Sequence, residues 1–176
     1  MLDLKSLVRT IPDYPKRGIQ FRDITTLIEH PLGFKESVER IAAAHRGLNI
    51  SHVAGIEARG FIFGAGVAIA LGVGFVPIRK KGKLPGQTLG QNYALEYGVD
   101  TIEIHADVLD ADDKVLLVDD LIATGGTALA AVNLLRRTGA HIGHAAFVID
   151  LPDLGGAEKL EAERVAIFKL IDFAGH

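Results

Sequence analysis

The 176-residue chain has no cysteine and no tryptophan. Without thiols it can build neither a disulfide framework nor a thiolate zinc or iron–sulfur site. It also lacks an excess of positive charge. A net charge of −3 argues against general coating of nucleic acid, which wants a basic face. Proline is scarce at 6 residues while 48% of the chain is hydrophobic, so the composition is not that of a disordered protein. No apolar core of a secretory signal occurs in the opening MLDLKSLVRTIPDYP, which predicts a cytoplasmic protein without a membrane partner. The longest uncharged run, residues 61–78, reaches only the lower edge of a membrane span. Gly64, Gly66, Gly72, Gly74 and Pro77 interrupt it. It reads better as a buried helix of about ten residues followed by a short buried strand.

Glycine is what the chain has in excess: 20 of 176 residues, against a usual share of roughly 7%. Tight turns or close backbone approaches are needed somewhere. The length predicts one domain over residues 1–176, able to bury about 70% of its unfolded surface. Along the chain the patterns alternate between helix and strand. Residues 2–11 suggest a short amphipathic helix closed by Pro12, and 13–29 an irregular segment. Helical spacing of Phe34, Val38 and Ile41 marks 34–45. Strands are predicted at 52–56, 75–78, 114–118, 145–149 and 165–170, with helices at 128–137 and between the last two strands. Residues 79–98 read mostly as a long polar loop, with a hairpin joining 93–97 to 101–104. Strands separated by helices imply parallel pairing, hence an α/β fold.

The segment with the most chemistry is VLLVDDLIATGGT, residues 115–127. A buried strand delivers Asp119 and Asp120 to its C-terminal end, where ligands bind in open α/β sheets. The small residues Ala123, Thr124, Gly125, Gly126 and Thr127 then open a helix, so their amides and hydroxyls can wrap a phosphate. No lysine follows the glycines, which excludes a Walker A loop, and no GxGxxG occurs. Two acids beside a phosphate cradle suit a sugar phosphate. Taken alone, the acids also fit solvated end caps of a strand-to-helix turn. Arg79, Lys80, Lys81 and Lys83 crowd four cations into five positions, which fits either a local anion site or a solvated charge run. His141 and His144 stand at a strand entrance without ligand spacing and are read as structural.

VLLVDDLIATGGT resembles the phosphoribosyl pyrophosphate motif of type I phosphoribosyltransferases. PKRGIQFRDI (15–24), EARG (57–60), RKKGKLPG (79–86) and YALEYG (93–98) extend the resemblance over nearly the whole chain and are similar to the adenine branch of that family. The resemblance implies a three-layer fold with a mostly parallel sheet flanked by helices, an N-terminal hood within residues 1–30 and a flexible lid over 79–98. It implies transfer of the 5-phosphoribosyl group from phosphoribosyl pyrophosphate to N9 of adenine, giving AMP and pyrophosphate.

The same resemblance implies roles. Residues 123–127 hold the 5′-phosphate, and Asp119 and Asp120 address the ribose hydroxyls. Arg59, Arg79, Lys80 and Lys83 face pyrophosphate, some of them serving a neighbouring subunit in a homodimer. Gln20, Phe21 and Arg22 form the adenine hood, with Gln20 and Arg17 departing from the family's common residues. Glu96 is the candidate for proton exchange with the purine ring, with Tyr97 beside it as a loop contact; on pattern alone Glu96 is also an ordinary exposed strand glutamate. The 6-oxopurine enzymes carry an aspartate where this chain has Ala123, which argues against hypoxanthine and guanine. Mg²⁺ is expected to arrive on the pyrophosphate, with no dedicated protein ligands and Asp120 as its water-mediated contact.

Overall fold

A computed structural model describes residues 2–95 and 98–175. Its centre is a seven-stranded sheet in the order β5-β6-β4-β3-β7-β8-β9. The strands are β3 (His52–Ile56), β4 (Gly74–Lys80), β5 (Thr88–Ala94), β6 (Val99–His105), β7 (Lys114–Ile122), β8 (His141–Asp150) and β9 (Ala166–Asp172). β4-β3-β7-β8-β9 is parallel throughout, and β6 joins β4 and β5 antiparallel.

Strand alternation sends consecutive residues to opposite faces. Leu116 and Val118 pack beneath α2 (Pro31–His45) and α3 (Arg59–Leu71), with Phe63, Val67 and Ile41. Leu117 faces the other way, toward α4 (Gly126–Arg136) and α5 (Gly156–Ala162), with Ala131, Leu134 and Leu160. The result is three layers, and because both sheet faces are covered the central strands are apolar almost without interruption. The uncharged run divides as its glycines suggest: α3 ends at Gly72, in the left-handed region at φ 71°, and β4 begins two residues later. No helix among the described residues is long and apolar enough to cross a membrane.

Three expectations are corrected. Residues 2–11 form not a helix but one 3₁₀ turn, Lys5–Leu7, followed by β1 (Arg9–Pro12). β1 pairs antiparallel with β2 (Gln20–Asp23), inside the segment read as irregular, and α1 (Thr25–Glu29) follows. The pairing register sets Arg9 opposite Asp23, where the two form an ion pair. Second, the polar loop predicted over most of 79–98 is confined, between β4 and β5, to 81–87. β4 runs on to Lys80, and β5 is paired along its length with β6, from Thr88 with His105 to Ala94 with Val99. Cross-strand partners hold in a strand a polar stretch whose own pattern looks like a loop. Third, β7 does not stop at 118. β8 pairs with it as far as Ile122, so Asp119 and Asp120 lie within the strand rather than on a turn after it.

Candidate active site

Adjacent parallel strands β3 and β7 send their following helices to opposite faces of the sheet, opening a crevice at their C-terminal ends. A cleft of about 390 Å³ lies there, lined by 56–59, Lys80 and 119–128. The helices that leave these strands, α3 and α4, start at its wall. Neither has an acidic residue in its first turn nor a side-chain cap, so the positive ends of both are left for an anion.

The floor is the acid pair. Asp119 Oδ1 accepts from the Asp120 amide at 2.9 Å. Burial pushes the pKa of Asp119 well above the ordinary carboxylate range, and the neighbouring Asp120 charge adds to the rise. Asp120 is buried and accepts from Arg59 Nε at 2.5 Å, while half of the Arg59 side chain remains exposed to the cleft. Partial burial works against the charge on Arg59, but Asp120 outweighs it and the guanidinium is held more firmly protonated. Close packing explains Gly60: a Cβ there would stand 2.6 Å from Asp119 Oδ1.

The loop of residues 123–125 turns through Gly125, at φ 75°, straight into α4. A Cβ on Gly126 would meet nothing closer than 3.9 Å, where it reaches the carbonyl of Ala94, so the end of β5 stands beside the loop. Lys80 enters from β4. Its Nζ donates to the Tyr93 hydroxyl at 2.6 Å and is ion-paired with Asp100. Burial lowers its pKa, but these two partners more than compensate and the net shift is upward. Glu57 ties the short loop before α3 to the same strand, its carboxylate accepting the Lys80 amide at 2.7 Å. That bond first, with Arg79 assisting, holds the Glu57 pKa down against burial. The Glu57–Ala58 peptide is cis.

A second cleft of about 310 Å³ adjoins the first through Arg59, which lines both. Ile11, Tyr14, Phe21, Arg22 and 23–25 form its other walls. Tyr14 and Phe21 meet edge to face at 5.2 Å. Asp23 is held at a pKa of about 2 by its hydrogen bond from Arg9, with the Thr25 hydroxyl and amide assisting.

The structure therefore brings together Arg59, Lys80, Asp119, Asp120 and 123–127 in one cleft, and Phe21 and Arg22 in its neighbour. Gln20 lines neither. Arg22 is committed to its own hairpin and the C-terminal segment, donating to Thr10 Oγ1 at 2.6 Å and stacking 4.4 Å over the Phe173 ring. Arg79 turns away to the Lys83 carbonyl at 3.2 Å and toward Glu57 at 3.5 Å. Lys83 is exposed on the 81–87 turn and does not line the cleft. Glu96 and Tyr97 lie outside the described residues.

Sequence reasoning missed Tyr14, and it missed Tyr93 and Asp100 as the partners of Lys80. The signal for the last two was available, because a hairpin register that pairs residues 93 and 100 sets their side chains together. Among the described residues no three His, Cys, Asp or Glu side chains come together as a metal cage. Two carboxylates beside a polyphosphate-sized cleft suit Mg²⁺ that takes most of its ligands from substrate oxygens and water.

A phosphoribosyl transferase domain model matches residues 25–173. An adenine phosphoribosyltransferase of Edwardsiella ictaluri is 58% identical over 173 residues, covering 98% of this chain and 94% of its own. That of Parvibaculum lavamentivorans is 56% identical over 175 residues, 99% of this chain and all of its own. Among solved structures, the adenine phosphoribosyltransferase of Thermoanaerobacter pseudethanolicus superposes with a TM-score of 0.91 at 45% identity, over 97% of this chain and 98% of that one. The Giardia lamblia enzyme, complexed with 9-deazaadenine, gives 0.92 at 38% identity, over 99% and 97%.

Proposed function

The chain belongs to the phosphoribosyltransferase family, in the company of adenine phosphoribosyltransferases along nearly its whole length, and from that premise we propose how its own groups carry the reaction. The enzyme transfers the 5-phosphoribosyl group from phosphoribosyl pyrophosphate to N9 of adenine, a purine-salvage step that forms AMP and releases pyrophosphate. One observation carries this reading: an anion cleft with an acid pair on its floor and an aromatic cleft meet at Arg59. A base seated against Tyr14 and Phe21 would then face a ribose seated over Asp119 and Asp120.

The amides of 124–127, the hydroxyls of Thr124 and Thr127 and the start of α4 hold the 5′-phosphate. Asp119 and Asp120 accept from the ribose hydroxyls, which fixes C1′ between the two clefts. Arg59 and Lys80 face the pyrophosphate. Phosphoribosyl pyrophosphate would compete for Arg59 with Asp120, which keeps the guanidinium poised while the cleft is unfilled. Arg79 and Lys83 join the pyrophosphate only if the 81–87 turn closes or a second copy of the chain presents them. The 82% exposed Ile69 on α3 is consistent with a homodimer. Mg²⁺ borne on the pyrophosphate, with Asp120 reaching it through water, would supply charge neutralisation of the leaving group.

In the transfer itself the N9–C1′ bond forms as the bond from C1′ to pyrophosphate breaks. The N9 proton passes to Glu96, which follows two residues after Ala94 in the chain, and the Ala94 carbonyl stands beside the phosphate loop. Positioning and charge stabilisation supply the acceleration, without a covalent enzyme intermediate. Ala123 cannot transfer a proton, which favours adenine over 6-oxopurines.

The test is an assay of purified protein with phosphoribosyl pyrophosphate and Mg²⁺, offering adenine, hypoxanthine, guanine and orotate separately. Adenine alone is expected to turn over efficiently. Absence of AMP would overturn the activity, and faster use of hypoxanthine would overturn the argument from Ala123.

A further inference from the structure

One segment touches the phosphate loop from behind. After β8 the chain makes a 3₁₀ turn, Pro152–Leu154, passes left-handed Gly155 at φ 71°, and enters α5 at Gly156. Gly156 is buried directly against the loop. A Cβ on it would stand 2.3 Å from the Ala123 carbonyl oxygen and 2.8 Å from the Gly125 nitrogen. Conversely, a Cβ on Gly125 would stand 2.9 Å from both Cα and the carbonyl oxygen of Gly156. The two backbones are in contact with no room for a side chain at either. One turn further along α5, Lys159 Nζ donates to the Thr124 carbonyl at 2.5 Å.

The direction of these contacts matters. In a trans peptide the carbonyl and the following N–H point to opposite sides. With the carbonyls of Ala123 and Thr124 turned back toward α5, the amides of Thr124 and Gly125 face away from it, on the side of the cleft. We propose that Gly156 and Lys159 are positioning residues for phosphoribosyl transfer. They hold the 123–125 loop with its amides aimed at the 5′-phosphate and so set phosphate affinity without touching substrate. This rests on the reading of the loop as the 5′-phosphate site. Lys159 is exposed and reaches this carbonyl with its ammonium group, so its replacement leaves the core intact.

The experiment compares AMP with adenosine, which differ only in the phosphate, by calorimetric titration of the full-length protein. Steady-state KM and kcat for phosphoribosyl pyrophosphate accompany the titrations. Lys159→Met is expected to weaken AMP about fivefold, as for loss of one charge-assisted hydrogen bond that is partly hydrated. Adenosine affinity and kcat should stay within about twofold, and Lys159→Arg should recover most of the loss. Gly156→Ala should weaken AMP by more than Lys159→Met does; should it fail to fold, the lysine pair decides by itself. If the wild type prefers AMP and Lys159→Met keeps that preference in full, the positioning role is overturned. If the loss vanishes in about 0.5 M salt, Lys159 acts as a remote charge and the role is likewise overturned. Equal wild-type affinity for AMP and adenosine would instead remove the phosphate-loop reading itself.

Discussion

Arg59 Nε sits 2.5 Å from Asp120 Oδ2, and the same arginine lines both the anion cleft and the aromatic cleft. A buried carboxylate is thereby neutralised by a cation whose side chain is still half exposed. Removing one partner alone leaves the other uncompensated in a partly dry site.

Asp119 couples function to stability. Its pKa is raised in the folded protein by burial and by Asp120. A raised folded pKa stabilises the protein below the unfolded carboxylate pKa, and that contribution is lost as pH rises through the folded value. Ionising Asp119 in the folded protein therefore costs stability. Asp119→Asn is expected to raise Tm at pH near 7, with the gain fading toward acid pH. The same change should weaken phosphoribosyl pyrophosphate binding about tenfold, through loss of a carboxyl acceptor. Scanning calorimetry across pH with parallel titrations checks both halves, and unchanged affinity would refute the hydroxyl assignment.

Gly60→Ala puts a methyl 2.6 Å from Asp119 Oδ1 and 3.2 Å from the Val118 carbonyl. Alanine favours the helix by up to about 1 kcal/mol, so Tm should fall little. Asp119 must move, however, and affinity for phosphoribosyl pyrophosphate should drop about tenfold. Titration of the variant reads this, and wild-type affinity would mean the acid pair tolerates displacement.

The β1–β2 hairpin has its own acid sensitivity. The folded pKa of Asp23 is lowered to about 2, first by Arg9. Its contribution is present above the unfolded pKa of about 3.9 and is lost as pH falls from there through about 2. Asp23→Asn should cost about 1–2 kcal/mol at neutral pH, discounted because Arg9 is exposed, and should flatten the acid limb between about pH 4 and 2. Urea unfolding of both proteins across that range measures it.

Glu96→Gln should lower kcat by a hundredfold or more, the scale of about 10² to 10⁴ for a general acid–base group. Binding of phosphoribosyl pyrophosphate should change by less than about threefold if the residue acts only on the base. Equal losses in both would assign Glu96 to binding.

Much of this site is legible along the chain because its parts are local. The strand at 52–56 coincides with β3, and 115–127 carries acids, loop and helix start within thirteen residues. Apolar alternation and small-residue turns act over a few positions, so a linear reading captures them. The hairpin β1–β2 was not legible, since Arg9 finds Asp23 only after the chain turns through residues 13–19. Nor was the strand character of 88–92, where a polar run is held by its partner β6.

The residue order is enough to establish the α/β class, the small-residue loop before a helix and the acid pair, because each is written in contiguous residues whose local physics is self-sufficient. The folded arrangement settles which cations face the cleft. Arg79 and Lys80 are neighbours in the chain, yet strand alternation turns one toward Glu57 and the other into the cleft, where Asp100 and Tyr93 hold it. It likewise brings Gly156 and Lys159 behind a loop about thirty residues earlier in the chain. Such contacts depend on register and crossover, which no local window of residues contains.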